Sequence, residues 1–193
     1  MRVIAIGLLG VLFGALAGCS EPPQKEIDEA QSAIAAAQAA GAETYAAEEY
    51  AGATATLQKA RAAIEQRDYR QALSYAIDSR QRAIEASRLV PDARARAKTA
   101  ADSELKNTGE SVTHLASLLR AARDAGASAQ ELRAPDETMT AATRALQEAR
   151  TALEARKYAE ANALLHGVRE NVDTAAKAVA PIPQRLKGKR RSG

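Results

Sequence analysis

Apolar positions recur at intervals of three and four residues along most of the chain. Ile27, Ala30, Ile34 and Ala37 form one run, and Tyr50, Ala53, Leu57, Ala60 and Ile64 a second. Tyr69, Ala72, Ala76, Ala83, Ala86 and Val90 form a third. This spacing lays each set along one stripe of a helix, and a helix with one apolar stripe needs a partner to bury it. The pattern then returns. Val112, Leu115, Leu119 and Ala122 repeat the first run, and Met139, Ala142, Leu146, Ala149 and Leu153 the second. Tyr158, Ala161, Leu165, Val168, Val172, Ala175 and Val179 repeat the third.

The return is a sequence repeat as well as a hydropathy repeat. Residues 57–90 align without gaps on 146–179, with 12 of 34 positions identical. Four of the matches are alanines. The other eight include Leu57/Leu146, Arg67/Arg156, Tyr69/Tyr158 and Arg80/Arg169. The spacing between copies is 89 residues there and 85 further upstream, so the second copy has a longer first loop. The expected fold is all-α: an elongated tandem of two three-helix units, built from antiparallel helical hairpins and joined by a long kinked helix. The units span 24–90 and 112–180, with a connecting helix over 91–111.

The ends of these helices carry their own signals. Gly41 and Gly126 follow their stripes, where a left-handed cap is expected. Arg67-Asp68-Tyr69 and Arg156-Lys157-Tyr158 read as tight turns, in which Asp68 can accept from free helix amides and Lys157 cannot. Ala134-Pro135-Asp136 reads as the start of the second copy's middle helix. Pro91 disfavours an uninterrupted helix, and Asn107-Thr108-Gly109 offers a further breaking point.

Composition sharpens the class. Alanine supplies 48 of 193 residues, and alanine favours helices over strands. Alanine stripes allow close helix approach but bury little area, so the core should be thin and Leu57, Ile64, Leu146 and Leu153 should carry much of it. The single cysteine excludes an internal disulfide. His114 and His166 lie far apart without companions at ligand spacing, so neither a metal site nor a cofactor is expected. There is no serine-hydrolase, phosphate-loop or metalloprotease motif and no catalytic residue to name. The chain is read as a non-enzyme.

The N-terminus has different chemistry. Arg2 precedes the apolar run Val3–Ala17, which is short for a bilayer-spanning helix and has the form of a secretory signal. Leu16-Ala17-Gly18-Cys19 resembles the lipobox of bacterial lipoproteins. That resemblance implies a signal peptide of residues 1–18 recognised through Leu16, Ala17 and Gly18. It also implies a diacylglycerol on the sulfur of Cys19 and an acyl chain on its new amine. Two or more chains give stable anchoring where one is marginal. Ser20 follows, and the family's sorting rule then implies the periplasmic face of the outer membrane rather than the inner. Residues 19–23 would be a short tether.

At the other end, residues 181–193 hold Arg185, Lys187, Lys189, Arg190 and Arg191 and no acid. Without those five and Arg2, 21 basic residues face 24 acidic ones. The positive balance is therefore largely a property of the tail. Pro181 and Pro183 should stop the last helix and leave a disordered basic segment able to touch an anionic cell-wall or lipid partner. The absence of interleaved aromatics argues against nucleic acid.

The spacing Ile27-x2-Ala30-x3-Ile34, Gly41-Ala42-x2-Tyr45, Leu57-x2-Ala60 and Asp68-Tyr69-x2-Ala72 is similar to an uncharacterised alanine-rich helical domain of envelope lipoproteins, a domain associated with outer-membrane-protein-A-like proteins. The similarity covers about 24–90 and brings no catalytic residues. Tetratricopeptide adaptors share the Tyr-x2-Ala hairpin but have a period of about 34 residues, far from that found here. The expected function is a lipid-anchored, periplasm-facing structural or interaction module of the bacterial envelope. The alternative is an adaptor or accessory subunit of an envelope machine, such as a cell-wall enzyme or transport complex.

Overall fold

The computed structural model describes residues 21–191, with side chains through residue 188. The described chain is all-α and contains no strand. The helices are α1 (Gln24–Ala40), α2 (Ala42–Tyr45), α3 (Ala47–Glu65), α4 (Tyr69–Asp124), α5 (Ala129–Glu154), α6 (Tyr158–Leu165), α7 (Val168–Val179) and α8 (Ile182–Arg191).

The centrepiece is α4. Its 56 residues run through Pro91 without interruption, a length of about 84 Å at the α-helical rise. Pro91 is exposed. The Ser87 carbonyl that its missing N–H leaves free is therefore on the side of the helix that water can reach. The helix also continues through Asn107-Thr108-Gly109, where the sequence offered a break. Thr108 is fully buried there, held on the core side of the helix.

Packing along α4 falls into two stretches. In the first, α1 and α3 pack on α4. Ile27, Ala30, Leu57, Ala60 and Ala76 meet in one cluster, and Ala37, Ala53, Ala83, Ala86 and Val90 in the next. The buried Ser79 hydroxyl donates to the Ala53 carbonyl at 2.8 Å, pinning α4 to α3. In the second stretch, α5, α6 and α7 pack on the later half of α4. Ala101, Leu146, Ala149, Ala161 and Leu165 form one cluster; Leu115, Leu119, Leu132, Val172 and Val179 form the other. Asn162 on α6 donates to the Ala97 carbonyl at 2.8 Å. The segment 91–111 is thus helical, and from Ala101 onward it is part of a packed core.

The core is alanine-rich, as the stripes require. Ala30, Ala37, Ala53, Ala60, Ala72, Ala76, Ala83 and Ala86 have no exposed surface. Leu57 and Leu146 are buried, but Ile64 and Leu153 are only half-buried. Each is the next-to-last residue of its helix, α3 or α5, at the edge of its cluster.

Three expectations about helix ends need correcting. First, α5 begins at Ala129, not near Pro135. Ser128 accepts from the Glu131 amide and Glu131 accepts from the Ser128 amide, a reciprocal capping box. Pro135 then lies buried inside the helix. Second, the second copy's third helix is broken. α6 ends at Leu165 and α7 begins at Val168, with Gly167 left-handed at φ 71°. Third, the chain does not become disordered after Pro181. Residues 182–191 form α8, with Ile182 buried and Leu186 packed on the same cluster. Pro183 sits in the first turn, where a missing N–H costs no hydrogen bond.

Candidate membrane-proximal end and basic terminus

The N-terminal end is built by prolines. Pro22 and Pro23 have no amide to donate, but their carbonyls accept from Gln24 at 2.7 Å and Ile27 at 3.1 Å, so the chain turns directly into α1. No side chain caps this helix; Glu26 in the first turn complements its dipole. Glu29 follows one turn later and pairs with Arg80 of α4, tying the first turns of α1 to the long helix. Leu16, Ala17, Gly18 and Cys19 lie outside the described residues.

The basic terminus is partly spoken for. Arg185 on α8 donates to Glu131 at 2.6 Å. Glu131 also accepts from the Ser128 amide and hydroxyl, both at 3.1 Å. These hydrogen bonds, led by the Ser128 amide and assisted by Arg185, hold the Glu131 carboxyl below the usual carboxylate range. One acid therefore closes the start of α5 and receives α8. Lys187 is exposed. Lys189, Arg190 and Arg191 lie beyond the described side chains. The five tail cations are thus not equivalent: Arg185 is a docking residue for α8.

The repeated turn residues adopt matching geometry. Arg67 and Arg156 both have φ of 60°, and they are the only described non-glycine residues with positive φ. After each, the next amide reaches back to a carbonyl five residues earlier: Asp68 to Ala63 at 2.9 Å and Lys157 to Ala152 at 2.8 Å. This is the hydrogen-bond pattern of a glycine-type helix stop, made here with arginine. Asp68 accepts from the Gln71 amide at 3.0 Å, while Lys157 makes no side-chain cap. Tyr69 and Tyr158 are half-buried at the first position of the following helix. The twin residues are accounted for as parts of a turn.

His114 and His166 are both exposed, on α4 and at the end of α6. Among the described residues, no three His, Cys, Asp or Glu side chains come together as a metal site would require. A groove of about 590 Å³ runs between α5 and α7, lined by small residues such as Ala134, Thr138, Ala141, Asn171 and Ala178. Its walls carry no acid, base or thiol, so it offers no group to move a proton. Among the described residues no helix is long and apolar enough to cross a membrane.

Residues 25–107 match the family described as Domain of unknown function (DUF4398). The matched span takes in α1, α2, α3 and about the first two thirds of α4, and so extends past Val90 into the stretch that enters the second core. No curated protein matches the chain, and no solved structure does.

Proposed function

We propose that this protein is a lipid-anchored, periplasm-facing helical module of the bacterial envelope, serving a structural or interaction role. The observation that carries the reading is Leu16-Ala17-Gly18-Cys19 behind a basic residue and an apolar run, with the chain's only cysteine in the acylation position. Acyl chains on Cys19 would hold the chain at the membrane. Only Ser20–Pro23 separate that anchor from α1, a reach of at most about 17 Å counted from Cys19. The start of α1 and the Glu29–Arg80 tie would therefore lie next to the membrane. From there α4, about 84 Å long, would carry the second packed stretch into the periplasm.

In this reading the two stretches are tandem three-helix units of common origin. The matched φ values at Arg67 and Arg156, the repeated Leu57/Leu146 and Ala60/Ala149 core positions and the shared turn hydrogen bonds support it. The outer membrane is the proposed site because serine follows Cys19. The remaining tail cations, Lys187, Lys189, Arg190 and Arg191, would meet anionic lipid or cell-wall groups at the far end.

The test is metabolic labelling in the native host. The wild-type chain should incorporate labelled palmitate and fractionate with membranes, and Cys19→Ala should do neither. A wild-type chain that takes up no palmitate would overturn the reading.

A further inference from the structure

α4 belongs to both packed stretches, and the helices of each stretch pack on α4 and on one another, not across to the other stretch. Between Val90 and Ala101 α4 buries nothing. Ten consecutive residues there are exposed or half-buried, a length of about 15 Å at the helical rise. Elsewhere from Ala72 to Ala122 the buried residues of α4 are never more than seven positions apart. From the first side, Arg94 lies over the Tyr45 ring, 5.7 Å from its centre. From the second, Asn162 reaches the Ala97 carbonyl. Neither contact joins one stretch to the other.

The helix is also weak here in its own bonds. Pro91 has no N–H for the Ser87 carbonyl. The hydroxyls of Ser87 and Thr99 donate back to the Ala83 and Ala95 carbonyls, both at 3.1 Å, a pattern that bends helices. Ion pairs brace the helix on either side, Glu85–Arg88 and Lys98–Asp102. Among the described residues none does so from Pro91 to Ala97. The repeat marks the same place. The twin of Val90 is Val179, and there α7 does end and the chain turns into α8.

We infer that residues 91–97 of α4 are a joint about which the two packed stretches bend as separate bodies. Units that share no packed interface move relative to one another unless the connection is stiff, and this connection is a single bare helix with a missing hydrogen bond. A bend of about 20° at Pro91 shifts the end of α4, about 50 Å further on, by about 17 Å. α8 packs beside that end, on the cluster of Leu119 and Val179, so the basic terminus moves with it. The joint is a property of the fold and does not depend on the anchoring reading above. If the start of α1 is held at a membrane, the joint lets the far end sweep while the near end stays in place.

The experiment places nitroxide-bearing amino acids in the full chain and measures the spread of distances between them by dipolar electron spin resonance in frozen solution. One pair, Gln58 and Gln147, spans the joint; the other, Gln130 and Gln147, lies on α5 alone. All three positions are exposed. The expected spread across the joint is about twice that of the α5 pair or more. Pro91→Ala restores the amide and should narrow the spread across the joint to near that of the α5 pair, with helicity kept or raised. Ala95→Gly, at an exposed site inside the joint, should widen it. Neither substitution should alter the α5 pair. A spread across the joint no wider than that of the α5 pair, or one that Pro91→Ala leaves unchanged, would overturn the proposal.

Discussion

Arg67 and Arg156 occupy the same left-handed conformation, φ 60°, 89 residues apart. A side chain with a Cβ pays about 1 kcal/mol or more to sit there, whereas glycine does not. The first prediction follows from that cost. Arg67→Gly and Arg156→Gly should each stabilise the fold by about 0.5–1 kcal/mol, after the added freedom of glycine in the unfolded chain is offset. Arg67→Val should destabilise it. Thermal melts followed by circular dichroism at 222 nm read both signs, and unchanged melting in the glycine variants would place the strain elsewhere.

The residues that follow these arginines should behave in opposite ways. Asp68 caps α4 through the Gln71 amide, so Asp68→Ala should cost about 1 kcal/mol. Lys157 leaves α6 without a side-chain cap, and its positive charge faces the positive end of the helix dipole. Lys157→Asp should stabilise the second turn by less than that, because the new cap is gained at the loss of the exposed Lys157–Glu160 pair at 3.1 Å and sets an aspartate beside Glu160. Urea unfolding of both variants gives the comparison.

Within the thin core, size decides cost. Leu146 is 4% exposed and sits among Ala149, Ala161 and Leu165. Alanine neighbours cannot move in to fill the space, and Leu146→Ala should cost about 2–5 kcal/mol. Leu153→Ala should cost less, because that side chain is half-buried. If the two substitutions cost the same, the second core extends further towards the turn than the packing indicates.

A pH effect should centre on Glu131. Its carboxyl is held below the ordinary range by the Ser128 amide and hydroxyl and by Arg185. A carboxylate with a depressed folded value contributes stability at pH above its unfolded value and loses it as pH falls through the folded one. The start of α5 and the docking of α8 should loosen together in the acid range, and Glu131→Gln should remove that acid-dependent part. Hydrogen exchange at 129–132 and 182–186, measured across that range in wild type and variant, provides the check.

Much of this architecture was legible in the spacing of apolar residues, and the exceptions share a cause. Ile27, Leu57, Ala76 and Leu146 could be placed because a three-four stripe on a helix leaves few other arrangements. The break at His166-Gly167 was hidden because Leu165, Val168 and Val172 keep the stripe running across it while the break itself faces outward. The start of α5 is obscured because Pro135 is a stronger local signal than Ser128 and Glu131, a capping pair three residues apart. α8 is masked in the sequence by Pro181 and Pro183, which favour a stop, although the four-residue spacing of Ile182 and Leu186 matches a helix face. The exposure of Leu73, Ile77 and Ile84 on α4 could not be found from hydrophobicity. Here alanines face inward and larger aliphatics outward, and only packing tells them apart.

The central claim is chemical and concerns a single atom, the sulfur of Cys19. Intact-mass analysis of the protein purified from membranes of its native host tests it most directly. The account predicts a chain that starts at Cys19, lacks residues 1–18, and carries the added mass of a diacylglyceryl group and an amide-linked acyl chain. A chain that retains Met1–Gly18, or one that starts elsewhere with an unmodified Cys19, would contradict it.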